Sequence, residues 1–328
     1  MKQFEITSIC NALVDLIVPV SEKELSQIGI EKGMMHLTST KKQSEILETF
    51  SNHETTLELG GSALNAIRTL RSLGVSTSFF GAIGQDEFGS KIKERMLELG
   101  IFHVLKELSD PTGTSVILTT PDGERTMNTH LGASRLFDET FVSEEHIAQS
   151  DAFHFCGYQW DTPGQIRAIQ KAMEIAKSHS TAISFDVADP FVVERNREAF
   201  LQVIRSGVDI VFANKEEAQL LFQKSSPNQC AQEAANLGAI AVIKLGAKGA
   251  LIRQDNQEIL VQPVPTQVID TTAAGDMFAA GFLYGWLSKK DLNESGQIAA
   301  ILAADVISRM GAKVSDNAIE KVLRDFPR

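Results

Sequence analysis

Along most of the chain, short apolar runs alternate with stretches whose apolar positions recur every three to four residues. Residues 181–185 predict a strand, 192–204 a helix, 208–212 the next strand and 215–222 another helix. Units of the same kind run over residues 77–99 and 153–177. This rhythm predicts an α/β architecture with a largely parallel sheet. Segments 208–212, broken only by Asp209, and 240–243 read as apolar runs, as strands covered on both faces would be.

Two stretches break the rhythm. Residues 4–18 followed by 33–37, and 114–120 with 124–128 around the turn Pro121-Asp122-Gly123, read as strands joined without helices. They predict a small β appendage, built from about residues 12–38 and 112–131, that covers one edge of the main sheet. An extra antiparallel edge of the same sheet is the alternative. With no Pro- or Ser-rich linker and no repeat, residues 1–328 are expected to form one cooperative unit.

Composition narrows the partners. The chain is 43% hydrophobic and 22% charged, the balance of a globular protein with a packed core. Its 31 Lys and Arg against 42 Asp and Glu give a net charge of −11, the wrong sign for a nucleic-acid partner. A single nucleotide held by local N–H donors and a metal ion remains open. Cys10, Cys156 and Cys230 form no C-x-x-C pair and are expected as buried thiols of a reducing compartment. Glu5 interrupts the apolar stretch a signal peptide needs, and no run approaches the ~20 apolar residues of a membrane span, so the expectation is cytoplasmic, without a membrane partner.

No G-x-x-x-x-G-K-[ST] loop, dinucleotide G-x-G-x-x-G, H-E-x-x-H or nucleophile elbow occurs. The richest segment is 268–283. A strand ends near Ile269, small residues follow, and an apolar helix begins close to Gly275. The first N–H groups of that helix and its dipole make an anion site. Asp276 falls there, where a carboxylate would be kept ionised and could take the proton of a hydroxyl attacking phosphorus. Asp270 and Asp276 read equally well as turn and cap residues. Ala279, Ala280 and Gly281 are small enough for close packing against the sheet.

Three further elements accompany it. Gly60 and Gly61 open a helix that carries Asn65 on its first turn, with an N-cap at Ser62 as the plainer reading. Asn214 and Glu217 follow strand 208–212 at the carboxyl edge of the sheet, where a capping box explains them as well. Lys244, Gly246 and Gly249 follow another strand, where a hairpin turn would also place glycines.

These elements in this order, with Asn11-Ala12-Leu13-Val14-Asp15 at the start and the block Gly81–Gly89, resemble the ribokinase-like (PfkB-type) family of carbohydrate and nucleoside kinases over essentially the whole chain. Residues 270–276 are similar to its D-T-x-G/A-A-G-D signature. The resemblance implies a three-layer α/β/α sandwich with a mostly parallel central sheet and a small β-sheet lid. It implies ATP and Mg²⁺ as cofactors, and transfer of the γ-phosphoryl group to a primary hydroxyl of a small-molecule substrate. Asp276 matches the catalytic base, and Ala273, Ala274 and Gly275 the backbone anion hole. Asn11, Asp15, Gly60, Gly61 and Asn65 match the substrate-gripping positions, and Arg125 a lid arginine that swings toward phosphate. Asn214 and Glu217 match an N-x-x-E motif that organises Mg²⁺ through water. Gly246 and Gly249 match the turn beneath the nucleotide.

Departures from the family pattern carry their own expectations. Ala273 replaces a common Gly, and little effect is expected if its φ is negative. Lys244 stands where Thr is common, exchanging a hydroxyl for a charge. Asp270 and Thr272, with the 310–315 loop, are expected to offer oxygens to a monovalent cation such as K⁺. Residues 11–15, 32–35, 125–128 and 131–134 look most like the adenosine kinase branch, which favours a nucleoside acceptor. Met34, Met35 and Leu37 are expected near a nucleobase, and Phe153-His154-Phe155 with Tyr158-Gln159-Trp160 along the acceptor pocket, core packing being the plainer role of both groups. A free-sugar kinase of the ribose, fructose or 2-keto-3-deoxygluconate type and a non-catalytic ligand sensor are the alternatives. A base at position 276 argues against the sensor. Monomer and homodimer both remain open.

Overall fold

The computed structural model describes residues 2–33 and 35–328. Its strands are β1 (Phe4–Ile9), β2 (Leu13–Pro19), β3 (Met35–Leu37), β4 (Thr56–Gly60), β5 (Thr77–Gly84), β6 (Phe102–Leu108), β7 (Gly113–Thr119), β8 (Arg125–His130), β9 (Ser150–Cys156), β10 (Ala182–Asp186), β11 (Ile210–Asn214), β12 (Ile240–Lys244), β13 (Ala250–Gln254) and β14 (Gln257–Val261). The helices are α1 (Glu22–Gln27), α2 (Thr40–Thr49), α3 (Ser62–Ser72), α4 (Glu87–Glu98), α5 (Glu144–Ala148), α6 (Pro163–Ser178), α7 (Pro190–Arg205), α8 (Lys215–Phe222), α9 (Pro227–Asn236), α10 (Ala274–Leu287), α11 (Leu292–Val306) and α12 (Asp316–Asp325).

The nine strands of the main sheet run in the order β14-β13-β12-β11-β10-β9-β1-β5-β6. From β12 to β6 every pairing is parallel, while β13 and β14 add antiparallel strands at one edge. Side chains alternate between the two faces, as the pleat requires. Phe153, Phe155, Phe185 and Val211 pack with α6 to α9 on one face, while Ile6, Cys156, Phe212 and Val242 pack with α3, α10, α11 and α12 on the other. The result is a three-layer α/β/α sandwich.

A second sheet, β3-β8-β7-β2-β4, stands apart from the first. Its outer face is covered within the chain: α2 packs on β7 and β8, and Leu25, Ile46 and Phe50 share a core cluster with Leu16, Val18, Val116 and Leu118.

Several expectations are corrected here. Residues 4–9 are a central strand of the main sheet, and only from Leu13 does the chain belong to the small one. The two segments look continuous because no helix intervenes. The appendage is not helix-free, since Ser21 and Glu24 form a capping box that starts α1, and it gains a further strand, β4. The two excursions form a separate sheet, and the alternative, an antiparallel edge of the main sheet, does not hold for them: that edge is built by β13 and β14 instead. Gly281 serves a helix rather than the sheet: a Cβ there would lie 2.6 Å from the Ala299 Cα, so its absence lets α10 and α11 approach. All three cysteines are buried and free. Among the described residues no helix is long and apolar enough to cross a membrane.

Candidate active site

The carboxyl ends of β10, β11 and β12, the N-termini of α3 and α10 and the inner face of the small sheet enclose a cleft of about 850 Å³. In parallel α/β sheets this edge collects ligands, because strands deliver their last residues there and helix N-termini point at it.

Asp276 is the third residue of α10. Its Oδ1 accepts from Ser62 Oγ at 2.7 Å and its Oδ2 from Asn65 Nδ2 at 2.9 Å. Burial raises its pKa above the ordinary carboxylate value, opposed by these two hydrogen bonds and by Lys244. Rather than being held firmly ionised, as its place on the helix suggested, the group is moved toward the range of a general base. Ser62 is therefore not an N-cap. Gly61 caps α3 with φ +111°, and a Cβ there would stand 2.3 Å from the Asn11 carbonyl oxygen.

The turn before α10 also departs from expectation. Ala273 caps the helix at φ +56°, in the left-handed region, where its methyl group is strained. The premise of a negative φ fails, because the chain must reverse sharply between Thr272 and Ala274. Ala274 N–H donates to the Thr271 carbonyl at 3.3 Å. The N–H groups of Gly275 and Asp276 lie in the first turn, which lacks intrahelical acceptors.

Asn214 and Glu217 form the capping box of α8: Glu217 N–H donates to Asn214 Oδ1 at 2.9 Å, and Asn214 N–H to Glu217 Oε2 at 2.6 Å. The capping geometry does not withdraw the pair from the cleft, which both residues line. Burial lifts the Glu217 carboxyl to about 7 against the pull of Lys244. Lys244 ends β12 directly beside Asn214, with its Nζ 3.0 Å from Asp186 Oδ2. Gly246 and Gly249, at φ +60° and +83°, form the tight turn of the β12–β13 hairpin and also line the cleft.

On the other side, Asp15 lies on β2, its pKa raised to about 7 by burial, opposed by Arg68. A Cβ on Gly60 would stand 2.2 Å from Asp15 Oδ1, so that glycine makes room for the carboxylate. Asn11 is tied to α6 through Gln165 Nε2, 2.8 Å from its Oδ1. Leu13, Met35, Leu37, Ile117, Met127 and Leu131 give this half an apolar lining. Met34 lies outside the described residues.

Arg125 is turned toward the turn before α10. Its Nη2 lies 2.6 Å from Asp270 Oδ2 and its Nη1 donates to Thr272 Oγ1. The Asp270 pairing is ionic by distance without good hydrogen-bond alignment, and Nε finds no acceptor. Asp270 also accepts from Thr272 N–H and Gly311 N–H, both at 3.0 Å. With a guanidinium on these oxygens, Asp270 and Thr272 do not fit a monovalent cation in this arrangement.

Of the aromatic segment, Tyr158 and Trp160 line the cleft, whereas Phe153, Phe155 and Gln159 do not. Phe153 and Phe155 are core residues facing α6 and α7. His154 points to the opposite face, donating to or accepting from Ser184 Oγ at 3.0 Å, and burial drives its pKa down to about 4. Sequence reasoning missed Asp186, Ser62 and Phe191, all of which line the cleft. Asp186 carries the same signal as Asn214, a polar residue ending an apolar strand at the carboxyl edge.

A half-buried acid beside the first N–H groups of a helix and an ammonium, at the carboxyl edge of a doubly covered sheet, suits the transfer of an anionic group. The model of the pfkB family carbohydrate kinases matches residues 31–318, and the chain belongs to that family of hydroxyl-directed phosphotransferases. The solved structure of a probable sugar kinase protein from Rhizobium etli is 32% identical, with a TM-score of 0.91 over 99% of both chains. An adenosine kinase from Sinorhizobium meliloti is 33% identical, with a TM-score of 0.90 over 98% of this chain and 99% of that one. A ribokinase from Haemophilus influenzae is 28% identical over 85% of this chain and 91% of its own length.

Proposed function

We propose that the chain transfers the γ-phosphoryl group of ATP to the primary hydroxyl of a nucleoside, adenosine first. The observation that carries this reading is the contrast within the acceptor half of the cleft. One half-buried carboxylate, Asp15, lines the cleft with Leu13, Met35, Ile117 and Met127, and Phe191, 56% exposed, lines it too. A ribose diol needs the carboxylate, and a flat base needs the apolar wall. A free sugar, polar all round, would leave that wall unused. The likeness to an adenosine kinase supports the reading, and the likeness to a ribokinase keeps ribose as the competitor.

In this mechanism Asp15 and Asn65 hold the ribose hydroxyls and Asp276 takes the proton of the attacking hydroxyl. The acceptor oxygen bonds to the γ-phosphorus as the bridging oxygen of ADP leaves. The N–H groups of Gly275 and Asp276 receive the charge on the transferring group. Gly246 and Gly249 underlie the nucleotide, with Val264, Val268, Ala300, Ala304 and Ile307 as an apolar face for its base. Asp186, Asn214 and Glu217 offer oxygens suited to Mg²⁺ held through water, which neutralises phosphate charge when bound. ADP release measured over nucleosides, pentoses and hexoses tests the reading. Adenosine is expected to exceed ribose and fructose, and either sugar exceeding adenosine would overturn the acceptor.

A further inference from the structure

The three carboxylates of the phosphate half, Asp186, Glu217 and Asp276, face a cleft that must admit a triphosphate. Helix N–H groups alone leave that concentration of negative charge poorly compensated. Lys244 lies among them. Its charge bears on all three acids, its side chain is only 16% exposed, and its Nζ stands 3.0 Å from Asp186 Oδ2. A Cβ placed on Gly275 would be 3.0 Å from that Nζ. The ammonium therefore stands close beside the backbone at Gly275, where a side chain would crowd it. Burial pulls the Lys244 pKa down, but Asp186 and Glu217 outweigh it, so the group stays an ammonium.

We propose that Lys244 is a catalytic residue, the side-chain half of the anion hole, whose ammonium exchanges Asp186 for the γ-phosphoryl group when ATP enters. This rests on the phosphate half of the proposed cleft and not on which acceptor is used. The proton of the acceptor hydroxyl still goes to Asp276, the new O–P bond forms as the bond to ADP breaks, and Lys244 keeps its three protons throughout. A flexible four-carbon stem suits a group that follows charge from one partner to another.

The test compares ATP and ADP binding without acceptor or metal, by calorimetry, in the wild type, K244M and K244R. If Lys244 grips the γ-phosphoryl group, K244M loses about ten-fold of the ATP-over-ADP preference, whereas K244R retains most of it. With the acceptor the wild type uses best, kcat of K244M falls ~10²-fold while acceptor KM holds within about three-fold. An unchanged ATP-to-ADP ratio in K244M would overturn the proposal and leave Lys244 as a counter-ion of Asp186. Should K244M fail to fold because Asp186 is left buried and unpaired, D186N/K244M removes both charges. A wild-type ATP-to-ADP ratio in that variant overturns the proposal equally, and loss of the ratio supports it. Failure of the acceptor reading shows separately, in the wild-type acceptor panel.

Discussion

Arg125 Nη2 and Asp270 Oδ2 stand 2.6 Å apart, with both side chains almost fully buried. The pair joins the small sheet to the turn that precedes α10, and it puts a cation on the oxygens that were expected to offer themselves to a monovalent ion. We therefore expect turnover to be indifferent to K⁺. Initial rates in potassium and in tetramethylammonium buffers of equal ionic strength should agree within about two-fold. Strong activation by K⁺ would show that Arg125 leaves Asp270 during the cycle.

Asp15 gives the pH dependence a sign. Only its ionised form accepts both protons of a diol, and burial places its pKa at about 7 rather than in the usual carboxylate range. The group is therefore mostly protonated at pH 6 and mostly ionised at pH 8. Acceptor kcat/KM should rise about ten-fold between those values. A profile flat across that interval would mean that Asp15 is already ionised well below it.

Ala273 holds a left-handed conformation that glycine adopts without strain. Ala273→Gly should stabilise the fold by about 0.5 kcal/mol, the relief of strain being partly offset by the freer unfolded chain. Urea unfolding at neutral pH measures it. A lower midpoint would mean that the methyl group makes contacts worth more than its strain.

Phe191 lines the cleft and is 56% exposed, so its removal costs little core. Phe191→Ala should raise the KM for adenosine about ten-fold, the scale of one aromatic stacking contact. The KM for any free pentose that is turned over should stay unchanged. Equal losses for both would place Phe191 away from the base.

Much of this site is legible in the sequence because Asn65, Glu217 and Asp276 all fall near the start of a helix. Asn214 and Glu217 follow an unbroken apolar run, and Asp276 follows a cluster of small residues at the start of an apolar helix. Asp186 ends a strand as well but is followed by Val-Ala-Asp-Pro, which delays the helix and hides the parallel. Phe191 is invisible for the opposite reason, since an aromatic residue near a strand end reads as core, which is what Phe153 and Phe155 turn out to be. The φ of Ala273 and the meeting of Arg125 with Asp270 depend on how distant segments pack, and no local pattern encodes them. The crossing from main to small sheet at residues 10–12 is silent too, because both sides of it are strand.

The most direct measurement is acceptor-dependent ADP release with adenosine, in the wild type and in D276N, alongside calorimetric binding of adenosine and ATP to both. The account predicts formation of adenosine 5′-monophosphate by the wild type. In D276N it predicts a fall in kcat of ~10³-fold or more with both ligands still bound, because the base is lost while Asp15, Asn65 and the helix N–H groups remain. Full turnover by D276N would contradict the assignment of the base, and the absence of adenosine-dependent ADP from the wild type would contradict the nucleoside acceptor.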